Sequence, residues 1–177
     1  MNLYTSQIRE KLPTLTAGDS ILLSGTIYTA RDAAHARINA LLDDGKPPPF
    51  ELDGACIYYA GPSPAPKVNP GGIVVGSCGP TTSRRMDSFT PRLISLGVVC
   101  TIGKGGRSDE VTQAMRQFGA VYLTAIGGAG ALYSRGIKSA EVIAFPELGC
   151  ESVKRFQIEN FRLFVAIDSR GGSMYKK

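Results

Sequence analysis

Short apolar runs of β type alternate with helix-type patterns along most of this chain, and that alternation narrows its possible folds more than any other feature. Ser20 to Tyr28 reads as a strand through Ile21-Leu22-Leu23 and Ile27-Tyr28, and Ala30 to Leu42 as a helix. Strands are expected at Ala55 to Tyr59 and Ile73 to Val75. The pattern from Thr81 to Leu96 is helical with an interruption near Pro91, because proline has no N–H to give the helix. Val98 to Ile102 is a strand, Ser108 to Phe118 a helix and Ala120 to Ile126 a strand. A short Gly/Ala-rich helix then precedes strands at Glu141 to Phe145 and Phe161 to Ile167. Strands separated by helices imply an α/β domain with a partly parallel sheet flanked by helices. The early strands near 20–28, 55–60 and 73–76 have only loops or one helix between them, so some antiparallel pairing is expected. Two proline-rich stretches, Asp43 to Pro49 and Gly61 to Pro66, can join neither a helix interior nor a central strand.

A length of 177 residues favours one domain, 1–177, and an apolar share of 43% is enough for one buried core. No stretch approaches the roughly 18–20 uninterrupted apolar residues needed to cross a bilayer. The start, Met1-Asn2-Leu3-Tyr4-Thr5, lacks the basic and apolar regions of a signal peptide, so no membrane association and a cytoplasmic location are expected. Cysteines stand at 56, 78, 100 and 150 with no Cys-x-x-Cys pair and a single histidine, so no self-contained metal site is expected. Cys56 and Cys100 lie in apolar runs and read as buried free thiols, whereas Cys78 and Cys150 fall in motif-bearing segments that leave their role open.

The net charge of +5 is concentrated. Between Gly54 and Ser108 one acid, Asp87, faces Lys67, Arg84, Arg85, Arg92, Lys104 and Arg107, an excess equal to that of the whole chain. An anionic partner would account for it, whether a small carboxylate, a phosphate or a nucleic acid, and so would a solvated basic face. Aromatic residues do not interleave the bases, and no ribonucleoprotein motif is present, so no nucleic-acid partner is expected.

Three strand-to-helix junctions carry unusual residues. In the first, Ser24 to His35, Thr29 and Asp32 have capping-box spacing, which starts a helix near Ala30 and puts Arg31 in its first turn. A cation there opposes the helix dipole unless it and the free N–H groups share an anion. His35 lies four residues on, on the same face, and could contact a ligand, orient another group or simply pack. In the second, Val75 to Asp87, Arg84 and Arg85 again occupy an early helical turn behind Thr82 and Ser83, which read as caps. In the third, Gly103-Lys104-Gly105-Gly106-Arg107, small neighbours leave Lys104 free to reach a ligand. The loop matches neither a Walker A motif nor a dinucleotide fingerprint. Gly127 to Ala131 reads as tight helix–sheet packing. Together the junctions point to a small anion with two or more negative groups, without naming a reaction.

These residues resemble the C-terminal region of class I fumarases and the β subunit of L-tartrate dehydratase. The resemblance runs through Leu23 to His35, Tyr59-Ala60-Gly61-Pro62, Gly76 to Thr82 with Arg85-Met86-Asp87, Gly103-Lys104-Gly105 and Phe145 to Gly149, and covers about residues 3 to 175. It implies a swivelling β/β/α domain. It also implies a hydro-lyase acting on a dicarboxylate, with a 4Fe–4S cluster held by a separate iron–sulfur α subunit and none bound here. By motif position Arg31, Arg85 and Lys104 would bind substrate carboxylates, and Thr81 would be the catalytic residue that takes part in proton abstraction with an acid from the partner. His35 and Thr82 would support them. Arg84 departs from the pattern, and Cys150 to Lys154 match it loosely without touching any of these assignments. Because the chain opens at its own methionine with no cluster-bearing half ahead, a two-subunit enzyme is expected, a heterodimer or heterotetramer. Fumarate hydration to (S)-malate, a tricarboxylic acid cycle reaction, is the leading expectation. L-tartrate dehydration to oxaloacetate and a non-catalytic anion- or nucleic-acid-binding domain are the alternatives.

Overall fold

A computed structural model of the protein describes residues 1–67, 72 and 74–175. Among them one mixed sheet holds seven strands: β1 (Asn2–Tyr4), β2 (Ser20–Thr29), β3 (Cys56–Tyr58), β4 (Cys100–Gly103), β5 (Val121–Thr124), β6 (Ile137–Ala144) and β7 (Val153–Ile167). The α-helices are α1 (Ile8–Lys11), α2 (Asp32–Asp43), α3 (Thr90–Ser95), α4 (Asp109–Phe118) and α5 (Gly130–Arg135). Strands β1 to β5 run parallel in chain order. β7 runs antiparallel to both β2 and β5, so β2-β3-β4-β5-β7 closes into a ring. β1 adds to β2, and β6 adds to the first half of β7. A closed ring leaves these five strands few unpaired edges.

Side-chain alternation sorts the core into an inside and an outside. Ile21, Leu23, Ile27, Cys56, Tyr58, Cys100, Ile102, Leu123, Phe156 and Leu163 fill the ring interior. Ile57 and Tyr59 point the other way, beneath Ala34 and Ile38 of α2 and Leu93 of α3. Tyr122 and Ala166 lie under Val111, Ala114 and Met115 of α4. β3 therefore buries both faces, which is why Ala55 to Tyr59 reads as an unbroken apolar run rather than an alternating one. Each fully buried Ile or Leu contributes roughly 1.5–3 kcal/mol. α4 starts where Ser108 Oγ accepts the Val111 N–H, carries Asp109 and Glu110 in its first turn, and stops at left-handed Gly119. No helix among the described residues is long and apolar enough to cross a membrane.

The partly parallel α/β sheet is as expected from the sequence, but its closure is not. The antiparallel partner is the 15-residue β7, which extends well beyond the expected 161–167, while β2 and β3 pair in parallel. β1 has no strand-like run to announce it, and β6 begins four residues before Glu141. Ile73 lies outside the described residues. Val74 and Val75 are not in a strand, since their neighbourhood bonds to the proline-rich loop through Ser63 N–H to Ser77 O and Gly76 N–H to Ser63 O. Cys56 and Cys100 are ladder partners and buried free thiols, as expected, and burial pushes the Cys100 thiol well above its usual range. Cys78 is also buried and its thiol is pushed up to about 12, whereas Cys150 is exposed.

Candidate active site

Because β2, β3 and β4 are parallel neighbours, their C-terminal ends open on one side of the sheet, where ligands of such sheets gather. Arg31 follows β2, Gly61 follows β3 and Lys104 follows β4 directly. Thr81 is tied to the same edge: its N–H donates to Tyr59 O at 2.7 Å, and its carbonyl accepts from Lys104 N at 3.3 Å. Thr82 and Lys104 pair as an isolated parallel bridge, and Ser83 N–H donates to Lys104 O at 2.9 Å. Gly103 makes this junction possible, since a Cβ there would overlap Ser83 Oγ and the Tyr59 ring. The Lys104 side chain is exposed and extends across Gly127.

The first junction folds differently from its reading. The α2 helix begins at Asp32, not near Ala30, and Arg31 is its N-cap residue with extended backbone and no side-chain cap. Thr29 does not form a capping box, because its hydroxyl donates to Ser152 O at 3.4 Å and accepts from Lys154 N at 3.1 Å across the β2–β7 pair. The anion that satisfies the helix terminus belongs to the chain itself. Glu151 sits 2.9 Å from Arg31 Nη2 and accepts the Ala33 N–H at 3.4 Å. On the other side Asp32 lies 3.7 Å from Arg31 Nε and takes Arg85 Nη2 at 2.6 Å. Glu151, Arg31, Asp32 and Arg85 thus form one alternating row of charges. The Arg31 side chain also lies against Gly61, where a Cβ would stand 3.3 Å from its Cδ and Nη1.

His35 is wholly buried behind this row, edge-on to Tyr59 and tilted against Phe89. Burial lowers its pKa to about 4, so the ring is neutral at pH 7, and Nδ1–H donates to Arg31 O at 2.8 Å. The ring is thus packed in the interior and bonded to the Arg31 backbone. Arg31 Nε, Asp32 Oδ1 and His35 Nε2 are the buried side-chain atoms without a hydrogen-bond partner among the described residues, and all three sit at the start of α2.

The second junction also needs correction. Arg84 and Arg85 stand in a single 3₁₀ turn, Ser83–Met86, so the argument from a helix dipole does not apply to them. Thr82 is exposed and makes no side-chain cap, and Ser83 is buried with its hydroxyl 2.9 Å from Tyr122 OH. Arg84 faces solvent. The glycines of 127–131 serve less the packing of helix on sheet than the meeting of α5 with the second junction, through Cys78 N–H to Gly130 O at 3.0 Å.

Among the described residues, half of the six central bases find a carboxylate within the molecule. Arg85 pairs with Asp32, Arg92 with Asp43 at 2.6 Å, and Arg107 with Asp87 at 2.7 Å. Among the described residues neither Arg84 nor Lys104 joins an ion pair. Sequence reading missed Glu151 and the second use of Asp32, which had been read only as a cap. An arginine at a helix start was itself the available signal, since it asks for a carboxylate from somewhere. Nothing local said that the carboxylate would come from 118 residues beyond Ala33.

The model of the family described as Fumarase C-terminus matches residues 1–177. The chain belongs to that family. Among curated fumarase C-terminus relatives, Fumarate hydratase 2 of Leishmania major is 40% identical over 173 residues, covering 97% of this chain and 30% of that protein. The aerobic class I fumarate hydratase of Escherichia coli strain K12 is 36% identical over 179 residues, covering 100% of this chain and 32% of that protein. The chain spans less than a third of the length of both. The putative L(+)-tartrate dehydratase subunit beta of Methanocaldococcus jannaschii is 39% identical over 178 residues, 98% of this chain and 90% of that protein. These relatives are hydro-lyases by name.

Proposed function

We propose that this fumarase C-terminus domain, residues 1–177, is the substrate-gripping β subunit of a fumarate hydratase. It would catalyse the reversible hydration of fumarate to (S)-malate together with a separate cluster-bearing α subunit, as a heterodimer or heterotetramer in the cytoplasm. The observation that carries the reading is the placement of Arg31, Thr81 and Lys104 at the C-terminal ends of adjacent parallel strands, with Arg85 joined to Arg31 through Asp32. Two guanidinium groups and an ammonium match the two carboxylates of a four-carbon diacid. Arg31 and Arg85 would orient it by charge-assisted bonds, and Lys104 would meet its charge from the neighbouring loop.

Thr81 is held by its own backbone between Tyr59 and Lys104, which ties its Cα to the strand edge beside Lys104. A hydroxyl is a poor base at neutral pH, so proton removal from the carbon next to a carboxylate requires an acidic group of the partner to accept the proton onward. Thr82 and His35 would support the site, His35 by holding the Arg31 carbonyl. A 4Fe–4S cluster does not fit this chain's own residues: Cys56, Cys78 and Cys100 are buried thiols, Cys150 alone reaches the surface, and no metal-holding group of His, Cys, Asp or Glu occurs among the described residues. A cluster held by the α subunit would supply Lewis acidity toward the departing hydroxyl.

A second reading, L-tartrate dehydratase β subunit, is favoured by the relative that is matched over 90% of its own length. Internal pairing of three of the six central bases weighs against a nucleic-acid module. Anaerobic assay of the assembled pair on fumarate, malate and both tartrates separates the readings. Turnover of fumarate and malate is expected, and turnover of tartrate alone would overturn the fumarase assignment. The isolated chain should be colourless and inactive.

A further inference from the structure

We infer that Glu151 is a positioning residue that sets the Arg31 guanidinium for a substrate carboxylate. The inference rests on the reading of Arg31 given above. An arginine side chain is long and flexible, and Arg31 stands at an N-cap with extended backbone, where its own helix offers it only the long 3.7 Å contact of Asp32 with Nε. Glu151 supplies the hold. One carboxylate oxygen stands 2.9 Å from Arg31 Nη2 as an ion pair and the other accepts the Ala33 N–H at 3.4 Å, which ties the guanidinium to the first turn of α2. Nη1 is left turned toward Gly61, at the end of β3.

The segment that presents Glu151 is itself fixed by unusual means. It runs from left-handed Phe145 at φ 54° through Gly149 at φ 60°, two positive-φ residues in five. Lys154 then gathers it from below. Its ammonium shares three N–H groups among Gly149 O and Cys150 O at 3.1 Å each, Ser152 Oγ at 2.6 Å and Ser152 O at 3.4 Å, and it joins no carboxylate among the described residues. A half-buried ammonium satisfied by backbone carbonyls stiffens the loop rather than a charge pair. Ladder register does the rest, since pairing of Thr29 with Lys154 brings the chain leaving β2 against the chain entering β7. Arg31 and Glu151 meet there, each only 21% exposed, with Arg31 Nε buried and without a hydrogen-bond partner among the described residues.

Glu151 could instead compete with substrate for Arg31, and the two roles differ in sign. The test uses the assembled enzyme with Arg31→Ala, Glu151→Gln and the double variant. If Glu151 acts through Arg31, Glu151→Gln raises KM for malate by about tenfold with kcat changed less than about twofold, as for lost uniform binding. In the Arg31→Ala background the same change adds nothing, because the group it positions is gone. A KM that falls, a KM that does not move, or an additive double variant would overturn the inference. If Arg31→Ala itself leaves KM and kcat unchanged, it is the carboxylate-binding reading of Arg31 that fails. A readout independent of turnover comes from ¹⁵N NMR of the isolated chain. The Arg31 Nη resonances should show slow rotation about Nε–Cζ, and Glu151→Gln should speed it while leaving the amide spectrum of the sheet in place. Fast rotation already present in the unmodified chain would also overturn the inference.

Discussion

Arg107 and Arg31 both follow parallel strands of one sheet and both lie largely out of water, yet their surroundings are opposites. The Arg107 side chain is fully buried, with Nε on Asp87, Nη1 on Thr101 Oγ1 at 3.0 Å, and Nη2 on Thr90 Oγ1 at 2.8 Å and Tyr59 OH at 3.3 Å. Its guanidinium carbon stands 5.2 Å from the Tyr59 ring centre and 4.9 Å from that of Tyr122. All three of its nitrogens are engaged by its own chain. Arg31 keeps one terminal nitrogen on Glu151, and its buried Nε has no hydrogen-bond partner among the described residues, Asp32 standing 3.7 Å away. A cation satisfied on every side braces a fold, whereas a buried nitrogen without a hydrogen-bond partner calls for a different explanation. In the sequence Arg31 stands out at a helix start and Arg107 only adds to a basic segment; that one is fully paired and the other is not shows only in their partners.

The contrast can be broken most readily at Arg107. Replacing it with methionine strands the nearly buried Asp87 and should cost about 3–5 kcal/mol of stability, read by urea unfolding of the isolated chain. A loss below about 1 kcal/mol would mean that the buried cation is not a brace. His35 sharpens the other side. Its folded pKa of about 4 lies below the 6.5 of the unfolded chain, so the unfolded state binds the proton first. The stability it contributes is complete above about pH 6.5 and disappears as pH falls toward 4, roughly 3 kcal/mol in all. His35→Gln should flatten that part of the curve, and an unchanged slope between pH 6.5 and 4 would place the titrating group elsewhere.

Arg85 tests the functional side of the comparison. Half-exposed and paired with Asp32, it should add less than about 1 kcal/mol to folding. In the assembled enzyme Arg85→Ala should instead remove roughly 1.5–3 kcal/mol of substrate and transition-state binding. Unchanged kcat and KM would remove Arg85 from the site. The smallest effect is expected at Arg92, whose pair with Asp43 is exposed: Arg92→Ala should alter melting and turnover by less than about 1 kcal/mol each. A large effect there would show that a solvated pair can do what the comparison reserves for Arg107 and Arg31.

Local pattern was enough to reveal the alternation of strands and helices, the buried thiols of Cys56 and Cys100, and the loops after β2 and β4 that carry Arg31 and Lys104. These follow from contacts within a few residues, where a side-chain period of two or about 3.6 is written directly into the order of apolar positions. Tertiary structure alone decided that β7 closes the ring, that Arg107 turns inward to Asp87, and that the anion at the start of α2 is Glu151. Those outcomes depend on ladder register and on which carboxylate arrives from more than a hundred residues away, and no short-range periodicity records either.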